Sequence, residues 1–295
     1  MSKVGMVILN YNDYETTNNY LKKIKNYKEL DTIVVVDNNS SDNSYKKLLE
    51  LENNKIKIIK TGDNKGYSYG NNYGIKYLND NYKVDYIIIS NPDITVSEKV
   101  ISKLKNDLDK NDDIALVAPV IHELDYIRRG WRLPLIKDEI LSNINYFHKK
   151  ARKKLEYDES KYSGNLTKVD VVSGCFFMIR SDILEMIGNF DEGTFLYYEE
   201  NILGHKLKTI NKKTCIDNET EITHNLSVSV NKSFNDIKKY KILKESQKYY
   251  VKYYLKSNIF EIFLLRFVYY ISLIIAYIAQ FFRNLRSKKK WKILL

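Results

Sequence analysis

The sequence has few of the residues and motifs that define several common protein classes. Only two of its 295 residues are cysteines, Cys175 and Cys215, and they lack Cys-x-x-Cys spacing. This excludes a disulfide framework and a zinc knuckle and favours a reducing compartment. Neither Gly-x-Gly-x-x-Gly after the first apolar run nor Gly-x-x-x-x-Gly-Lys-Ser/Thr occurs, so the usual dinucleotide and P-loop phosphate cradles are excluded. The apolar run before Asn10 is too short for a signal-peptide core, and we expect an intracellular protein.

The composition indicates a folded, basic protein. With 44% hydrophobic residues, the chain can bury a core, which predicts one large domain or one domain with an appendage. The formal net charge of +11 is typical of nucleic-acid-binding proteins. However, Lys, Asn, Ile and Tyr are all abundant, a mixture that codon bias also produces. The positions of the basic residues are therefore more informative than their number.

The first half of the chain alternates strand-like and helix-like segments. Short β-branched runs separated by amphipathic stretches predict a mostly parallel, Rossmann-like α/β sheet with helices on both faces. The predicted strands are 4–10, 32–37, 56–60, 86–90 and 114–120, and the predicted helices are roughly 14–27, 41–53, 70–80 and 97–110. The polar strand ends, Asn10, Asp37 and Asn91-Pro92-Asp93, are expected along one sheet edge, where open α/β sheets bind ligands.

Two later regions depart from this pattern. Residues 122–168 show little periodicity, which predicts either a solvated excursion or a mobile loop near a substrate. Beyond these, a charged helix is predicted over 236–257 and an apolar helix over 259–282, with a basic cluster after it. The uninterrupted apolar part, 267–282, is shorter than the about 20 residues that a bilayer-spanning helix needs. A helix lying on an anionic membrane surface is favoured, and packing on the core or on another subunit stays open.

Asp93 is the candidate for binding phosphates through a metal. A carboxylate at a strand end, beside Asn91, can bind a hard divalent cation that bridges a diphosphate. Asn-Pro-Asp alone is weak evidence, since an Asp after a strand more often forms a turn or caps a helix. Asp37 also ends a buried strand, where it can accept a hydrogen bond from a base or ribose. The glycines within 63–74 allow a ligand to approach the backbone closely.

Seven blocks within residues 3–230 carry a family resemblance. They are VILNYN, VVVDNNSSD, GDNKGYSYGNNYG, SNPDI, SGCFFMIRSDILEMIGNFDE, FLYYEENILGHKL and THNLSVSV. In this order they resemble the inverting family 2 glycosyltransferases, in particular the rhamnosyltransferase-like enzymes of bacterial capsule and O-antigen assembly. The resemblance implies a GT-A fold, a UDP- or dTDP-linked sugar donor, Mn²⁺ or Mg²⁺ at a D-x-D-like motif, and a saccharide acceptor that is lipid-linked.

The resemblance also implies roles for individual residues. Asn10, Tyr11 and Asp37 would hold the base and ribose, while the segment from Asn64 to Asn71 would lie along the donor. The full donor-binding set is Asn10, Tyr11, Asp37, Asn64, Lys65, Gly66, Asn71, Asn91 and Asp93. The implied metal ligands are Asp93, His224 and Asn91, where Asn91 stands in place of the family's carboxylate.

Glu199 and Glu200 form the acidic pair that the resemblance makes catalytic. An inverting transfer needs a carboxylate to take the proton of the acceptor hydroxyl. Adjacent residues on a helix point about 100° apart, so only one of the pair can face the acceptor. The resemblance assigns the base to Glu200 and a local or acceptor contact to Glu199. The helix dipole also favours acidic residues at a helix start without any catalytic role.

The sequence therefore predicts a GT-A catalytic domain over residues 1–230 and a C-terminal helical region over 231–295. The expected location is the inner face of the cell membrane, without a nucleic-acid partner, and a homo-oligomer stays open. One alternative is a sugar-1-phosphate nucleotidyltransferase, but the first loop, NYNDYETTNN, lacks the glycine and lysine that such enzymes need. A second is a non-catalytic basic module that binds membrane or nucleic acid, which leaves Asp37, Asp93, Glu200 and His224 unexplained.

Overall fold

The structure, a computed structural model, describes residues 2–124, 126–144, 150–151, 153–225 and 236–292. The strands are β1 (Val4–Asn10), β2 (Thr32–Asp37), β3 (Ile56–Lys60), β4 (Tyr86–Ser90), β5 (Ile94–Thr95), β6 (Ile114–Glu123), β7 (Tyr126–Arg128), β8 (Leu166–Val169), β9 (Phe176–Arg180) and β10 (Lys213–His224). The helices are α1 (Tyr14–Ile24), α2 (Ser44–Leu49), α3 (Tyr67–Asn81), α4 (Glu98–Lys110), α5 (Ile136–Ser142), α6 (Ser181–Met186), α7 (Glu199–Thr209), α8 (Asp236–Tyr253) and α9 (Ile259–Lys292). The α/β class and the first strands are as the sequence predicts.

One mixed sheet runs through these strands. Its order is β3-β2-β1-β4-β9-β6-β10-β5, with β7 paired to β6 and β8 paired to β10. Strands β1 to β4 are parallel to one another, whereas β9 runs antiparallel between β4 and β6. The second half of the chain therefore adds antiparallel pairs to the parallel sheet that the sequence predicts.

Alternating residues of each central strand enter different cores. Met6 and Ile8 of β1 pack in a cluster with apolar residues of α1, α2 and α4. Val7, between them, belongs to a second cluster with residues of α3, α6 and α7. All three are fully buried, which explains why the strand is apolar throughout rather than alternating. Burial of each such side chain stabilises the fold by about 1.5–3 kcal/mol.

Strand direction gathers the polar strand ends at one edge. Asn10 and Asp37 are register partners at the ends of parallel β1 and β2. Because β9 is antiparallel to both β4 and β6, these two strands run in the same direction, and the first residue of β9, Phe176, lies opposite the last residue of β4, Ser90. β10 is parallel to β6, so Glu123 and His224 end at the same edge. The predicted ligand edge is thus formed by the ends of β1, β2, β4, β6 and β10.

The described residues divide into two compact units. The first comprises Met1–Leu133 and Glu156–Ser233, and the second comprises Pro134–Leu155 and Phe234–Leu295. The region 122–168, in which the sequence shows little periodicity, contains β7, α5, a 3₁₀ helix at Glu159–Tyr162, and β8. The predicted boundary between residues 230 and 231 lies outside the described residues.

The long helix α9 has one buried and one exposed apolar face. Leu265, Tyr269 and Ser272 are buried, and the Tyr269 ring stacks on Tyr240 of α8 with centroids 6.4 Å apart. The exposed apolar side chains on α9 are Ile259, Phe260, Phe263, Phe267, Tyr270, Ile271, Ile274, Ile275, Tyr277 and Ile278. None of the helices in the described part of the chain is long and apolar enough to span a bilayer.

Candidate active site

Asp93 and His224 meet where the short strand β5 pairs with the end of β10. The antiparallel register places His224 opposite Ile94, next to Asp93 in the chain. His224 Nε2 lies 3.3 Å from Asp93 Oδ1, and the two side chains are only 10% and 9% exposed. Asn225 holds the Asp93 backbone, since its amide N and its Nδ2 donate to Asp93 O at 3.0 and 3.2 Å. Two predicted metal ligands are therefore neighbours in a buried position.

This pair has the donor atoms that a divalent cation binds. Asp93 Oδ1 and His224 Nε2 are buried, and within the described residues neither atom has a hydrogen-bond partner. Their 3.3 Å contact is thus an electrostatic contact rather than an aligned hydrogen bond. The described residues contain no group of three or more His, Cys, Asp or Glu that could hold a metal ion. The pair therefore fits a cation that completes its shell with phosphate oxygens and water, as Mg²⁺ usually does.

Glu123 and Arg128 extend this cluster. His224 Nδ1 lies 3.0 Å from Glu123 Oε1 at the end of β6. Arg128, on β7, donates from Nε to Glu123 Oε1 at 3.2 Å and from Nη2 to Glu123 Oε2 at 2.9 Å. Four ionisable side chains, Arg128, Glu123, His224 and Asp93, therefore follow one another in contact.

The opposite charges in this row keep His224 and Glu123 ionised. Burial lowers the pKa of His224, but the neighbouring carboxylates of Asp93 and Glu123 favour the charged ring and raise the pKa to about 9. Burial raises the pKa of Glu123, yet hydrogen bonds from His224 and Arg128 lower it to about 2. Each charge is stabilised by its neighbours rather than by water.

Asn10 and Asp37 form a second hydrogen-bonded group at the ends of β1 and β2. Asn10 Nδ2 donates to Asp37 Oδ2 at 2.9 Å. Ser40 donates to Asp37 from its backbone N and its Oγ, at 2.9 and 2.7 Å. Asn10 and Asp37 have no exposed surface, whereas Tyr11 is half-buried. These bonds fix the strand ends, and the predicted contact of Asp37 with a base or ribose stays a prediction.

The glycine-containing segment before α3 is tied to two other loops. Asn38 Nδ2 donates to Asn64 Oδ1 and to Gly66 O, each at 3.0 Å. Gly66 has a φ of +109°, and a Cβ on it would lie 2.1 Å from Phe195 O. Only glycine fits both this backbone angle and this close approach. The Lys65 side chain beside it is exposed.

Tyr67 links this segment to the rest of the site. Its backbone N donates to Phe195 O, and its hydroxyl donates to Gly174 O, both at 2.8 Å. The hydroxyl also lies 3.4 Å from Asn91 Oδ1. Asn71 Nδ2 donates to Tyr67 O at 3.0 Å, one turn along α3. The Asn91 side chain, a predicted metal ligand, is therefore engaged by Tyr67.

The acidic pair opens α7 directly after a strained turn. Tyr197 and Tyr198 have φ of 73° and 72°, a conformation that costs a bulky residue about 1–3 kcal/mol. Glu199 is buried, whereas Glu200 is half-buried. Glu200 Oε1 accepts a hydrogen bond from Gly174 N at 3.3 Å. The strained turn therefore directs the two carboxylates into different surroundings.

Many of these polar groups lie within a segment that matches a known family, whereas Glu199, Glu200 and His224 lie beyond that segment. Residues 6–188 match the model of the family described as Glycosyl transferase family 2, which is more than half of the 295 residues. The chain belongs to glycosyl transferase family 2. The matched region contains Asn10, Asp37, Gly66 and Asp93, and the predicted family is confirmed.

Curated relatives of this family 2 chain are distant. It is 28% identical over 200 residues to the low-salt glycan biosynthesis hexosyltransferase Agl10 of Haloferax volcanii, covering 68% of this chain and 60% of that protein. It is 23% identical over 186 residues to the N-acetylglucosaminyl-diphospho-decaprenol L-rhamnosyltransferase of Mycobacterium tuberculosis, covering 60% of each. The chain thus spans about 60% of the length of these relatives.

Proteins of known structure have a similar fold. The crystal structure of GalNAc-T7 with UDP, GalNAc and Mn²⁺ superposes with a TM-score of 0.57 at 16% identity, covering 78% of this chain and 45% of that one. Identity at this level shows the fold alone, and the predicted GT-A fold is confirmed.

Some residues of the candidate site are not evident from the sequence. Glu123 and Arg128 lie in the region with little periodicity, and Tyr67 is one aromatic among many. Glu123 shares one signal with the predicted residues, because it is a polar residue that ends an apolar strand. Only the pairing of β6, β7 and β10 reveals its partners.

The buried carboxyl group of Glu199 is expected to make the stability of the fold depend on pH. Burial and the nearby charge of Glu200 raise the Glu199 pKa well above its ordinary value, and Glu199 Oε2 is buried with no hydrogen-bond partner in the described residues. The unfolded chain therefore loses this proton at a lower pH than the folded protein does. Between the unfolded and the folded pKa, ionisation stabilises the unfolded chain while Glu199 stays protonated in the fold, so the fold is increasingly destabilised as pH rises.

We expect Glu199→Gln to remove this penalty. Its free energy of unfolding, relative to the unchanged protein, should rise between about pH 5 and pH 8, measured by urea denaturation. Glu185→Gln, which changes an exposed carboxylate of α6, controls for loss of one negative charge. A difference that stays constant with pH would contradict the assignment.

Proposed function

We propose that this chain is a metal-dependent, inverting glycosyltransferase. It transfers a sugar from a UDP- or dTDP-linked donor to a hydroxyl of a lipid-linked saccharide acceptor in cell-surface polysaccharide synthesis, such as capsule or O-antigen. Family membership supports glycosyl transfer, and the diphospho-decaprenol acceptor in the name of one relative supports a lipid-linked substrate. UDP and Mn²⁺ bound to a protein of the same fold support the donor class and the cation.

The buried pair Asp93 and His224 is the observation that carries the proposal. A carboxylate oxygen and an imidazole nitrogen lie 3.3 Å apart at the ligand edge of the sheet, both without a hydrogen-bond partner among the described residues. Leaving two such atoms unsatisfied is costly unless a ligand engages them. A divalent cation bound there would stabilise the negative charge of a diphosphate leaving group. Asn91, held by Tyr67, lies two residues before Asp93.

The chain supplies the other parts of a single displacement. In the reaction, the acceptor hydroxyl oxygen bonds to the anomeric carbon while the bond to the diphosphate breaks on the opposite face. Glu200 accepts the hydroxyl proton, since it is the less buried member of the pair and Gly174 N donates a hydrogen bond to its Oε1. Glu199, neutralised by burial, is suited to a hydrogen-bonding role. Asn10, Tyr11, Asp37 and the segment from Asn64 to Asn71 form the donor side.

Calorimetric titration of the full chain with UDP and with dTDP, each with and without Mn²⁺, tests the proposal. We expect one nucleotide to bind, and Mn²⁺ to strengthen its binding by about tenfold or more, which corresponds to about 1.4 kcal/mol. Asp93→Asn and His224→Asn should lose the effect of Mn²⁺ but keep the metal-independent binding. His122→Asn, which changes a partly exposed histidine of β6, is the matched control. If a folded protein binds neither nucleotide, the proposal is wrong.

Substitution of the base gives a second prediction. Glu200→Gln should lower kcat by about 10²- to 10⁴-fold, because the amide cannot take the acceptor proton. The dissociation constant for the nucleotide should stay within a few-fold, since Glu200 lies on the acceptor side. Glu185→Gln should leave both quantities unchanged. If Glu200→Gln keeps most of its activity, Glu199 rather than Glu200 is the base.

We further propose that residues 1–230 are the catalytic domain and that residues 231–295 attach it to the inner face of the cell membrane. The exposed Ile, Phe and Tyr side chains of α9 supply an apolar face of the kind that enters a membrane interface. The basic residues that follow in the sequence, Arg283, Arg286, Lys288, Lys289, Lys290 and Lys292, favour anionic lipids.

Sedimentation with lipid vesicles tests this attachment. The triple variant Phe260→Ser/Phe263→Ser/Phe267→Ser should lose binding to vesicles of mixed phosphatidylglycerol and phosphatidylcholine, and high salt should weaken binding of the unchanged protein. The double variant Leu124→Ser/Met186→Ser, which changes exposed apolar residues outside α9, should bind as before. If the triple variant binds vesicles normally but changes from dimer to monomer, the face joins two copies instead.

A further inference from the structure

Two histidine–glutamate pairs join strands β6 and β10, and they differ in their surroundings. His224 Nδ1 lies 3.0 Å from Glu123 Oε1, and both side chains are buried. His122 Nε2 lies 2.9 Å from Glu221 Oε2, but these side chains are 42% and 73% exposed. The buried pair also has an arginine, since Arg128 donates two hydrogen bonds to Glu123. The buried pair has a charged neighbour at each end, since Arg128 contacts Glu123 and Asp93 contacts His224. This arrangement indicates a function that the exposed pair lacks.

We propose that Glu123, clamped by Arg128, is a positioning residue that fixes the ring orientation and the tautomer of His224. This inference rests on the proposed function, in which His224 binds a divalent cation. Glu123 does not touch the cation or the substrate. It acts by holding the imidazole so that Nε2 faces Asp93.

The chemistry of the two ring nitrogens supports this role. An ionised carboxylate only accepts hydrogen bonds, so the ring nitrogen that faces Glu123 carries a proton. Nδ1 is that nitrogen. In the absence of a metal, Nε2 also carries a proton, and a cation that binds there would replace this proton and take the Nε2 lone pair. Nε2 is also the atom that lies 3.3 Å from Asp93 Oδ1. Histidine ligands usually donate their other N–H to a carboxylate or carbonyl, and this partner sets their orientation.

Arg128 supplies the rigidity of the arrangement. Its Nε and Nη2 bond to the two different oxygens of Glu123, at 3.2 and 2.9 Å. A two-point contact between planar groups fixes the plane of the carboxylate, which a lysine in the same place cannot do. β7 pairs with β6 so that Tyr126 is opposite Glu123, and Arg128 reaches the carboxylate diagonally. Through Arg128 and Glu123, the short strand β7 thus orients the His224 side chain at the end of β10.

Metal affinity tests the inference. We measure Mn²⁺ binding in the presence of saturating UDP, or of dTDP if that is the nucleotide that binds, using the full chain. Glu123→Gln should weaken Mn²⁺ binding by about tenfold to a hundredfold, with nucleotide binding in the absence of metal unchanged. Arg128→Lys should give a smaller loss in the same direction. At saturating Mn²⁺, kcat of Glu123→Gln should recover, which separates positioning from a direct catalytic role.

Glu221→Gln is the matched control, because it breaks the exposed pair of the same two strands. It should bind Mn²⁺ as the unchanged protein does. Thermal unfolding of every variant confirms that the comparison is made between folded proteins. Equal Mn²⁺ affinity in Glu123→Gln and the unchanged protein would overturn the positioning role.

A second readout does not depend on metal or activity. In metal-free protein labelled with ¹⁵N-histidine, the Nδ1 proton of His224 should give a slowly exchanging signal, assigned by its loss in His224→Asn. Glu123→Ala should abolish this signal and Glu221→Gln should preserve it. A signal that survives in Glu123→Ala overturns the inference. If the unchanged protein shows the signal but binds no Mn²⁺ with either nucleotide, the metal site of the proposed function fails, and the ligand-positioning role fails with it.

Discussion

The pairing of β5 with the end of β10 is the constraint on which the candidate site depends. β5 has two residues, Ile94 and Thr95, yet its antiparallel register pairs Ile94 with His224 and so brings Asp93 beside a residue from a distant part of the chain. Pro92 ends the preceding extended run because it restricts its neighbour and lacks an N–H. A one-residue slip of this register would turn His224 to the opposite face of the sheet. The separation of the two candidate ligands is therefore a consequence of backbone hydrogen bonds.

Backbone contacts also join the glycine-containing segment before α3 to the acidic pair. The Gly66–Phe195 approach and the Tyr67 N bond to Phe195 O attach the glycine segment to the loop that leads into α7. The left-handed turn at Tyr197 and Tyr198 follows in that loop. Such strain persists only where surrounding contacts determine the backbone. The position of Glu199 and Glu200 relative to the glycine segment is thus fixed by main-chain atoms, which move less than long side chains do.

Local sequence patterns predict the sheet better than they predict the site. The runs 4–10, 32–37, 56–60 and 86–90 match the observed strands, because each is a β-branched run ended by polar or turn-forming residues. The prediction for β6 ends at residue 120, whereas the strand continues to Glu123. The last residues of β6 are polar, as loop residues usually are, but Glu123 contacts charged side chains inside the protein. Contacts of this kind depend on strand order, which the sequence pattern does not encode.

The charge order of the buried row explains why it is suited to a cation. From Arg128 through Glu123 and His224 to Asp93, positive and negative groups alternate, so each interior charge has an opposite neighbour. Burying Glu123, His224 and Asp93 costs several kcal/mol per ion, even beside the half-buried Arg128, and replacing buried ion pairs by apolar residues is often neutral or stabilising. Stability alone therefore does not account for the row. Among the described residues the row ends at the carboxylate of Asp93, and a divalent ion that replaces the Nε2 proton of His224 would supply a positive charge for both this carboxylate and a diphosphate.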